Sequence, residues 1–322
     1  MNTHKKDEIM STNAIPVLFD TDIGSDIDDA VALAYLLKQP ACELLGITTV
    51  SGEPHKRAEL ASAICHAAGR GHVPIHVGAE EPLLITQRQP QASQHKALSA
   101  QWEHKAFESK ENTAIEFLRR TIRSRPGEVT LLAVGPLTNI ALLFAIDPEI
   151  PGLLKQMVLM GGRFFSKLPH GSVTEWNIIC DPHAAAKVFQ SPLPRLAAVG
   201  LDVTEQCRME ADECRRRFSE AGGPLLPTAA MAEVWFRHSS VVTFHDPLAA
   251  ALIFEEDLCE MEPCQVEIDL VNPRTLGHTY PVHNPDEEPQ HEAAFAVDAD
   301  AFFEHYFAVV SAGNAENVSA GK

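Results

Sequence analysis

The chain has 322 residues, 45% of them hydrophobic and 22% charged, and carries a formal net charge of -18. Such a chain can bury a sizeable core, and its negative balance argues against nucleic acid or an anionic membrane as partner while suiting a protein that binds cations. No stretch approaches the ~20 apolar residues of a membrane span, the N-terminal MNTHKKDEIMSTN lacks a secretory apolar core, and seven scattered cysteines without a CxxC fit reduced thiols in the cytoplasm.

In chain order, IPVLFD (15–20) reads as a buried strand and DDAVALAYLLKQP (28–40) as a helix stopped by Pro40. A second strand is predicted over 42–50, an amphipathic helix ending in glycine over 54–71, and a third strand over 73–79. Residues 82–112 are polar with weak periodicity and too long for a plain connection, which leaves a lid over a site or a surface excursion. Alternation resumes with a helix at 113–124, a strand at 128–134, a helix at 137–146 and a strand at 155–162. Next come a helix over 181–190, with Asp181 as N-cap and Pro182 at its first position, and a strand over 195–204. A further helix, AAMAEVWFRHSS (229–240), carries Trp235 and His238. This order predicts an α/β fold: a mostly parallel open sheet with helices on both faces, in one domain over 14–312 between disordered segments 1–13 and 313–322.

At the end of the first strand, DTDIGSDIDD (20–29) places five aspartates in ten positions. Carboxylates about 4 Å apart repel by roughly 4 kcal/mol per pair at an effective dielectric of about 20. Several converging there would consume much of a domain's net stability of ~5–15 kcal/mol. Capping the helix at Asp28 accounts for one or two acids, not five. A divalent cation, raised pKa values or outward-pointing side chains must offset the rest, and carboxylate oxygens select Ca²⁺ or Mg²⁺. An EF-hand is excluded, because position 12 counted from Asp20 is Val31 rather than Glu.

Other motifs accompany the cluster: ITTVSGE (47–53), AVGPLTNIA (133–141), LMGG (159–162), EWNIICDPHAA (175–185) and FHDPLA (244–249). In this order they resemble the nucleoside hydrolases (inosine-uridine-preferring nucleoside N-ribohydrolases), whose signature D-x-D-P-G-x-D-D-A is met with Ile23 for Pro and two extra residues before Asp28-Asp29. The resemblance implies Ca²⁺-dependent hydrolysis of the N-glycosidic bond of ribonucleosides to ribose and free base, by a homodimer or homotetramer. It implies Ca²⁺ ligation by Asp22, Asp29, the carbonyl of Val134 and Asp246, with Asp22 also the general base. Asp28, with Asp26 as the other candidate, would bind a ribose hydroxyl; Glu175 and Asn177 would hold the others, with Met160 against the ring. His245 would protonate the leaving base, and Glu53 and Trp176 complete the expected substrate contacts.

The chain departs from that pattern at Glu53, where the family has Asn, at Trp176, where it has Phe, and in lacking an H-G-x-x-G-L block within 82–112. Two alternatives stand beside it. A strand followed by DTDIG also resembles the DxDx[TV] motif of Mg²⁺-dependent haloacid-dehalogenase phosphatases, but Gly24 stands at the Thr/Val position and no lysine or later acidic pair completes the set. A non-catalytic nucleoside- or ribose-binding protein on the same fold is the other, and an intact Asp22 argues against it.

Overall fold

A computed structural model describes residues 14–109, 111–165, 174–282, 286 and 288–312. The terminal segments expected to be disordered, 1–13 and 313–322, lie outside the described residues. The first half of the chain runs β1 (Ile15–Thr21), α1 (Asp28–Lys38), β2 (Cys42–Thr49), α2 (Pro54–Ala67), β3 (Ile75–Val77), α3 (Ala114–Ser124), β4 (Thr130–Ala133), α4 (Thr138–Ile146), α5 (Ile150–Leu153) and β5 (Gln156–Met160). The second half runs α6 (Trp176–Cys180), α7 (Pro182–Phe189), β6 (Leu196–Val199), α8 (Leu201–Thr204), β7 (Arg208–Glu210), α9 (Ala211–Ala221), α10 (Leu225–Trp235), β8 (Val241–Thr243), α11 (His245–Leu252), β9 (Cys259–Ile268), β10 (Thr279–Val282), β11 (His291–Val297) and α12 (Ala299–Ser311).

The main sheet has nine strands in the order β10-β9-β11-β6-β5-β4-β1-β2-β3. From β3 to β11 neighbours are parallel; β9 runs antiparallel to β11 and to β10. Side-chain alternation explains why both faces carry helices. Val17 and Phe19 of β1, Leu132 of β4 and Val158 of β5 point into one apolar cluster with α1, α10, α11 and α12. Leu18, Leu131 and Leu159 point into the other, with α3, α4 and α7. Helix α3 buries Ala114, Phe117, Leu118 and Ile122, the i, i+3, i+4 stripe of a helix with one covered face.

Two expectations are corrected, and two strand pairings went unread. The strand predicted over 195–204 ends at Val199, and Leu201–Thr204 is a helical turn. A Cβ on Gly200 would lie 2.8 Å from the carbonyl of Gly162, and Leu201 N–H donates to that carbonyl at 2.9 Å, so the chain turns where two backbones touch. The helix over 54–71 stops at Ala67, with Gly69 at φ +69°. The antiparallel edge β9–β11 and the β7–β8 ribbon carried no distinct signal, because short half-exposed strands lack a long apolar run.

Among its described residues, segment 82–112 forms only a 3₁₀ turn at Ser93–Ala97, but it is fastened. Gln94 donates from its backbone to Gly24 O (2.9 Å) and from its side chain to Ser25 O (3.2 Å). His95 Nε2 meets Glu59 of α2 at 2.6 Å, and Lys105 N–H donates to Ser62 at 2.9 Å. The segment is a strap across α2, with one end beside the aspartates.

Asp147, after α4, accepts from Arg123 (2.6 Å) and Arg119 (2.8 Å) of α3. The bonds from Arg123 are the main cause that holds its carboxyl at about 2, below the ordinary 3.8. A depressed acid stabilises fully above its unfolded pKa and loses that stabilisation as pH falls through the folded value. Asp147→Asn is expected to lower the Tm at neutral pH by a few degrees, with the gap to wild type closing as pH falls from about 4 to about 2. Thermal melts across that range check this, and a pH-independent gap would refute the assignment.

Candidate active site

The chain steps from β1 outward to β2 and β3, then returns across β1 to β4, β5 and β6. The β1/β4 boundary is therefore a topological switch point, where the loops leaving the strand ends diverge and open a crevice. A cavity of about 660 Å³ lies there, a size suited to a small ligand. Asp22 and Asp26 reach it from the loop after β1, Asp28 and Asp29 from the first turn of α1, and Val134 and Met160 from the ends of β4 and β5. Glu175, Trp176 and Asn177 come from the start of α6, His245 and Asp246 from the start of α11, and Gln89 and Pro90 from the strap. Trp235 lines it as well; His238 does not.

Asp28, Asp29 and Asp246 each offer one carboxylate oxygen, all within 4.8 Å of one another, and all three are buried. Burial first, and then the neighbouring aspartates, push each carboxyl well above its ordinary 3.8. Three buried oxygen donors that resist ionisation together fit a hard divalent cation, whose charge would offset their repulsion. Asp29 and Asp246 were expected as ligands; the third member, Asp28, was expected at the ribose. Asp22 and the Val134 carbonyl line the same cavity outside the trio. Asp22 Oδ2 accepts from Gln89 Nε2, and Val134 O accepts from Asn177 Nδ2 at 2.7 Å. Burial raises Asp22 above 3.8 as well, against the opposing pull of Arg57 and the Gln89 bond. Asp26 lines the cavity less deeply, and burial pushes it to about 6. Asp20 points away from the cavity, where Oδ2 takes Thr48 (2.5 Å) and Asn139 (2.8 Å), and burial lifts it to about 7.

Glu175 is the N-cap of α6. Its oxygens accept from the backbone N–H groups of Asn177 (2.7 Å), Ile178 (3.0 Å) and Gly162 (3.2 Å). Burial nevertheless raises it to about 7. A carboxylate offers about four acceptor positions, so one remains open to a ligand hydroxyl. Asn177 donates both amide hydrogens, to Val134 O and to Met160 O (3.2 Å), which leaves its carbonyl free to accept. His245 Nδ1 pairs with Thr204 Oγ1 at 2.7 Å, and burial, then Arg208, pushes the imidazole down to about 4. It is therefore neutral near pH 7, and the expectation of a cationic donor there meets a ring that hydrogen-bonds as neutral imidazole.

Glu53 is not brought into the cavity. It sits at φ +56°, a left-handed conformation that Asn adopts more readily than Glu, with Oε1 on Lys56 (2.5 Å) and Oε2 on Ala92 N–H (3.0 Å). Burial would raise its carboxyl, but the bonds from Lys56 and Ala92 and the nearby positive charge together outweigh that and hold it below the ordinary value.

Two residues escaped the sequence reading. Gln89 lies in a polar strap with no periodicity to flag it. Arg57, fully buried beneath the site, did leave a signal: it falls on the covered face of α2 with Ala58, Ala61, Ile64 and Cys65, where a cation is out of place. Its guanidinium donates to the carbonyls of Asp22, Ile23 (3.2 Å) and Gly52 (2.8 Å), and to Ser25 Oγ (3.0 Å).

Residues 17–304 match the family described as inosine-uridine preferring nucleoside hydrolase. A non-specific ribonucleoside hydrolase of Escherichia fergusonii is 32% identical over 278 residues, covering 82% of this chain and 87% of that protein. A pyrimidine-specific ribonucleoside hydrolase of Citrobacter koseri is 30% identical over 281 residues, covering 83% and 88%. Among solved structures, a purine-preferring ribonucleoside hydrolase from Gardnerella vaginalis superposes with a TM-score of 0.80 at 24% identity, over 92% of this chain and 98% of that one. That likeness shows the fold, and the family match and curated relatives show the rest: the chain belongs to the inosine-uridine preferring nucleoside hydrolase family and is an N-glycosyl hydrolase.

Proposed function

We propose that the protein hydrolyses the N-glycosidic bond of ribonucleosides to ribose and free base in a Ca²⁺-dependent reaction. The observation that carries this reading is the buried trio Asp28, Asp29 and Asp246, with Asp22 beside it, in a cavity whose wall offers further acceptor positions on Glu175 and Asn177. The trio, with Asp22 and the Val134 carbonyl beside it, would hold the cation, which when bound supplies positive charge to attract vicinal hydroxyls and acidify a water.

The chain's own groups then divide the work. Glu175 and Asn177 accept from sugar hydroxyls and fix the ring, with Met160 packed beneath it. Asp22 takes the proton of the attacking water, and the surrounding carboxylates favour the positive charge that develops on the ribosyl ring as the bond to the base breaks. His245 lies on the base side; where Thr204 donates to Nδ1, the proton rests on Nε2, from which the neutral ring can hydrogen-bond to the departing base. Glu53 has no sugar contact in this scheme. Trp176 and Trp235 offer aromatic surface at the cavity wall for a base. The seven unpaired cysteines support a cytoplasmic setting, and the homodimer or homotetramer follows from the resemblance alone.

Ribose release from purine and pyrimidine ribonucleosides, with and without a Ca²⁺ chelator, tests the reading. Turnover that vanishes on chelation and returns with Ca²⁺ is expected. Cleavage untouched by chelation would remove the metal, and silence on every ribonucleoside would remove the activity.

A further inference from the structure

Two departures from the family pattern meet each other in space. Trp176 stands where Phe is usual, and the strap lacks the usual block. Trp176 Nε1 donates to Gln89 Oε1 at 2.6 Å, a bond that Phe cannot make. The other end of the same amide, Gln89 Nε2, donates to Asp22 Oδ2.

The chemistry fixes this order. An indole N–H only donates, so it accepts no partner but the carbonyl end of the amide. That turns the NH₂ group onto a carboxylate, which only accepts when ionised. A reversed amide would set two donors against each other at Trp176 and two acceptors against each other at Asp22. Gln89 is buried at 8% exposure, while Trp176 is 48% exposed at the cavity wall. Gln89 is held in turn by its own N–H, which donates to Gln87 Oε1 at 2.8 Å. The second oxygen of Asp22 is confined from the opposite side: a Cβ on Gly135 would come within 2.9 Å of Oδ1, so only glycine leaves that oxygen its place.

We propose that Gln89 is a positioning residue for Asp22, oriented by Trp176: it occupies Oδ2 and fixes the plane of the carboxylate, leaving Oδ1 to take the proton of the attacking water. The inference rests on the hydrolase reading and adds two residues to it. Gln89 acts through Asp22, and Trp176, besides offering its ring to a base, acts through Gln89.

The test is a double-mutant cycle of Gln89→Ala and Trp176→Phe, read as kcat and KM on the ribonucleoside that wild type cleaves best, together with melting temperature and tryptophan emission. A hydrogen bond to a charged group is worth about 1.5–3 kcal/mol, so Gln89→Ala is expected to lower kcat by about 10- to 100-fold while KM stays nearly constant. Trp176→Phe keeps a ring of similar size and removes only the orienting donor. It is expected to lower kcat by about 3- to 10-fold with the melting temperature unchanged. Because one residue acts through the other, the double variant should match Gln89→Ala within about twofold. In metal-free protein, the emission assigned to Trp176 by difference against Trp176→Phe should shift in Gln89→Ala. Multiplicative losses, an effect on KM alone, or unshifted emission would overturn the proposal while wild-type turnover stands. A wild type that cleaves no ribonucleoside removes the hydrolase reading, and this inference with it.

Discussion

Asp22→Asn is expected to reduce kcat by about 10²- to 10⁴-fold, the range a general base contributes, and to leave the fold intact. Its carboxyl is raised above 3.8 chiefly by burial. An acid with a raised folded pKa favours the native state below its unfolded value and opposes it as pH rises through the folded value. Neutralising it at pH 7 should therefore hold or raise the melting temperature of the metal-free protein. Activity and stability then move in opposite directions, which a merely damaged protein would not show. The trio and Asp22 should still differ in degree. Asp29→Asn and Asp246→Asn should abolish the Ca²⁺-dependent rise in melting temperature, whereas Asp22→Asn should keep part of it, because the three convergent carboxylates remain and the amide oxygen can still face the cation. Steady-state kinetics and thermal melts with and without Ca²⁺ decide this. Retention of wild-type kcat within tenfold would assign the proton to another group.

Much of this arrangement could be read from the residues, and the reasons for what was missed are physical. The ends of β1, β4 and β5 were visible, because parallel strands buried on both faces leave continuous apolar runs that stop abruptly. IPVLFDT stops just before Asp22, TLLA just before Val134 and QMVLM at Met160, and the cavity opens at those stops. Asp181 and Pro182 marked their helix start through local chemistry, and Asp181 does accept from Ala184 N–H at 3.0 Å. Roles that depend on contacts between distant segments were not legible. Asp28 and Asp246 are 218 positions apart and lie together because α1 and α11 pack side by side. Gln89 and Trp176 are 87 apart, in segments with no period. Glu53 reads as a site residue by alignment alone; its left-handed backbone and the pull of Lys56 and Ala92 turn it elsewhere. Of the five aspartates, Asp20 is turned to Thr48 of β2 and Asn139 of α4, which leaves four at the cavity.

Arg57→Met is the stability counterpart. Arg57 is wholly buried, forms no ion pair among the described residues, and gives its hydrogens to the carbonyls of Asp22, Ile23, Gly52 and Gln91 and to Ser25 Oγ. It thereby ties the loop after β1, the loop after β2 and the strap into one unit. A methionine fills similar space but leaves those acceptors buried without donors, each costing about 1–3 kcal/mol where water cannot reach it. Five such acceptors put the loss at about 5 kcal/mol or more, a large share of a net stability of ~5–15 kcal/mol. At roughly 2–4 °C per kcal/mol, the melting temperature should drop by at least about 10 °C. The charge matters separately. Burial lowers the guanidinium from its ordinary pKa, and Asp22 and Asp29 oppose that. Without the cation, the carboxylates lose their nearest internal counter-charge, so added Ca²⁺ should restore more degrees to Arg57→Met than it adds to wild type. Arg57→Lys keeps the charge and loses the planar fork, so it should melt low while responding to Ca²⁺ as wild type does. Melts of the three proteins across a Ca²⁺ series distinguish the two contributions. Equal Ca²⁺ gains in all three would reduce Arg57 to a structural tie, and a methionine variant melting within about 2 °C of wild type would deny it even that.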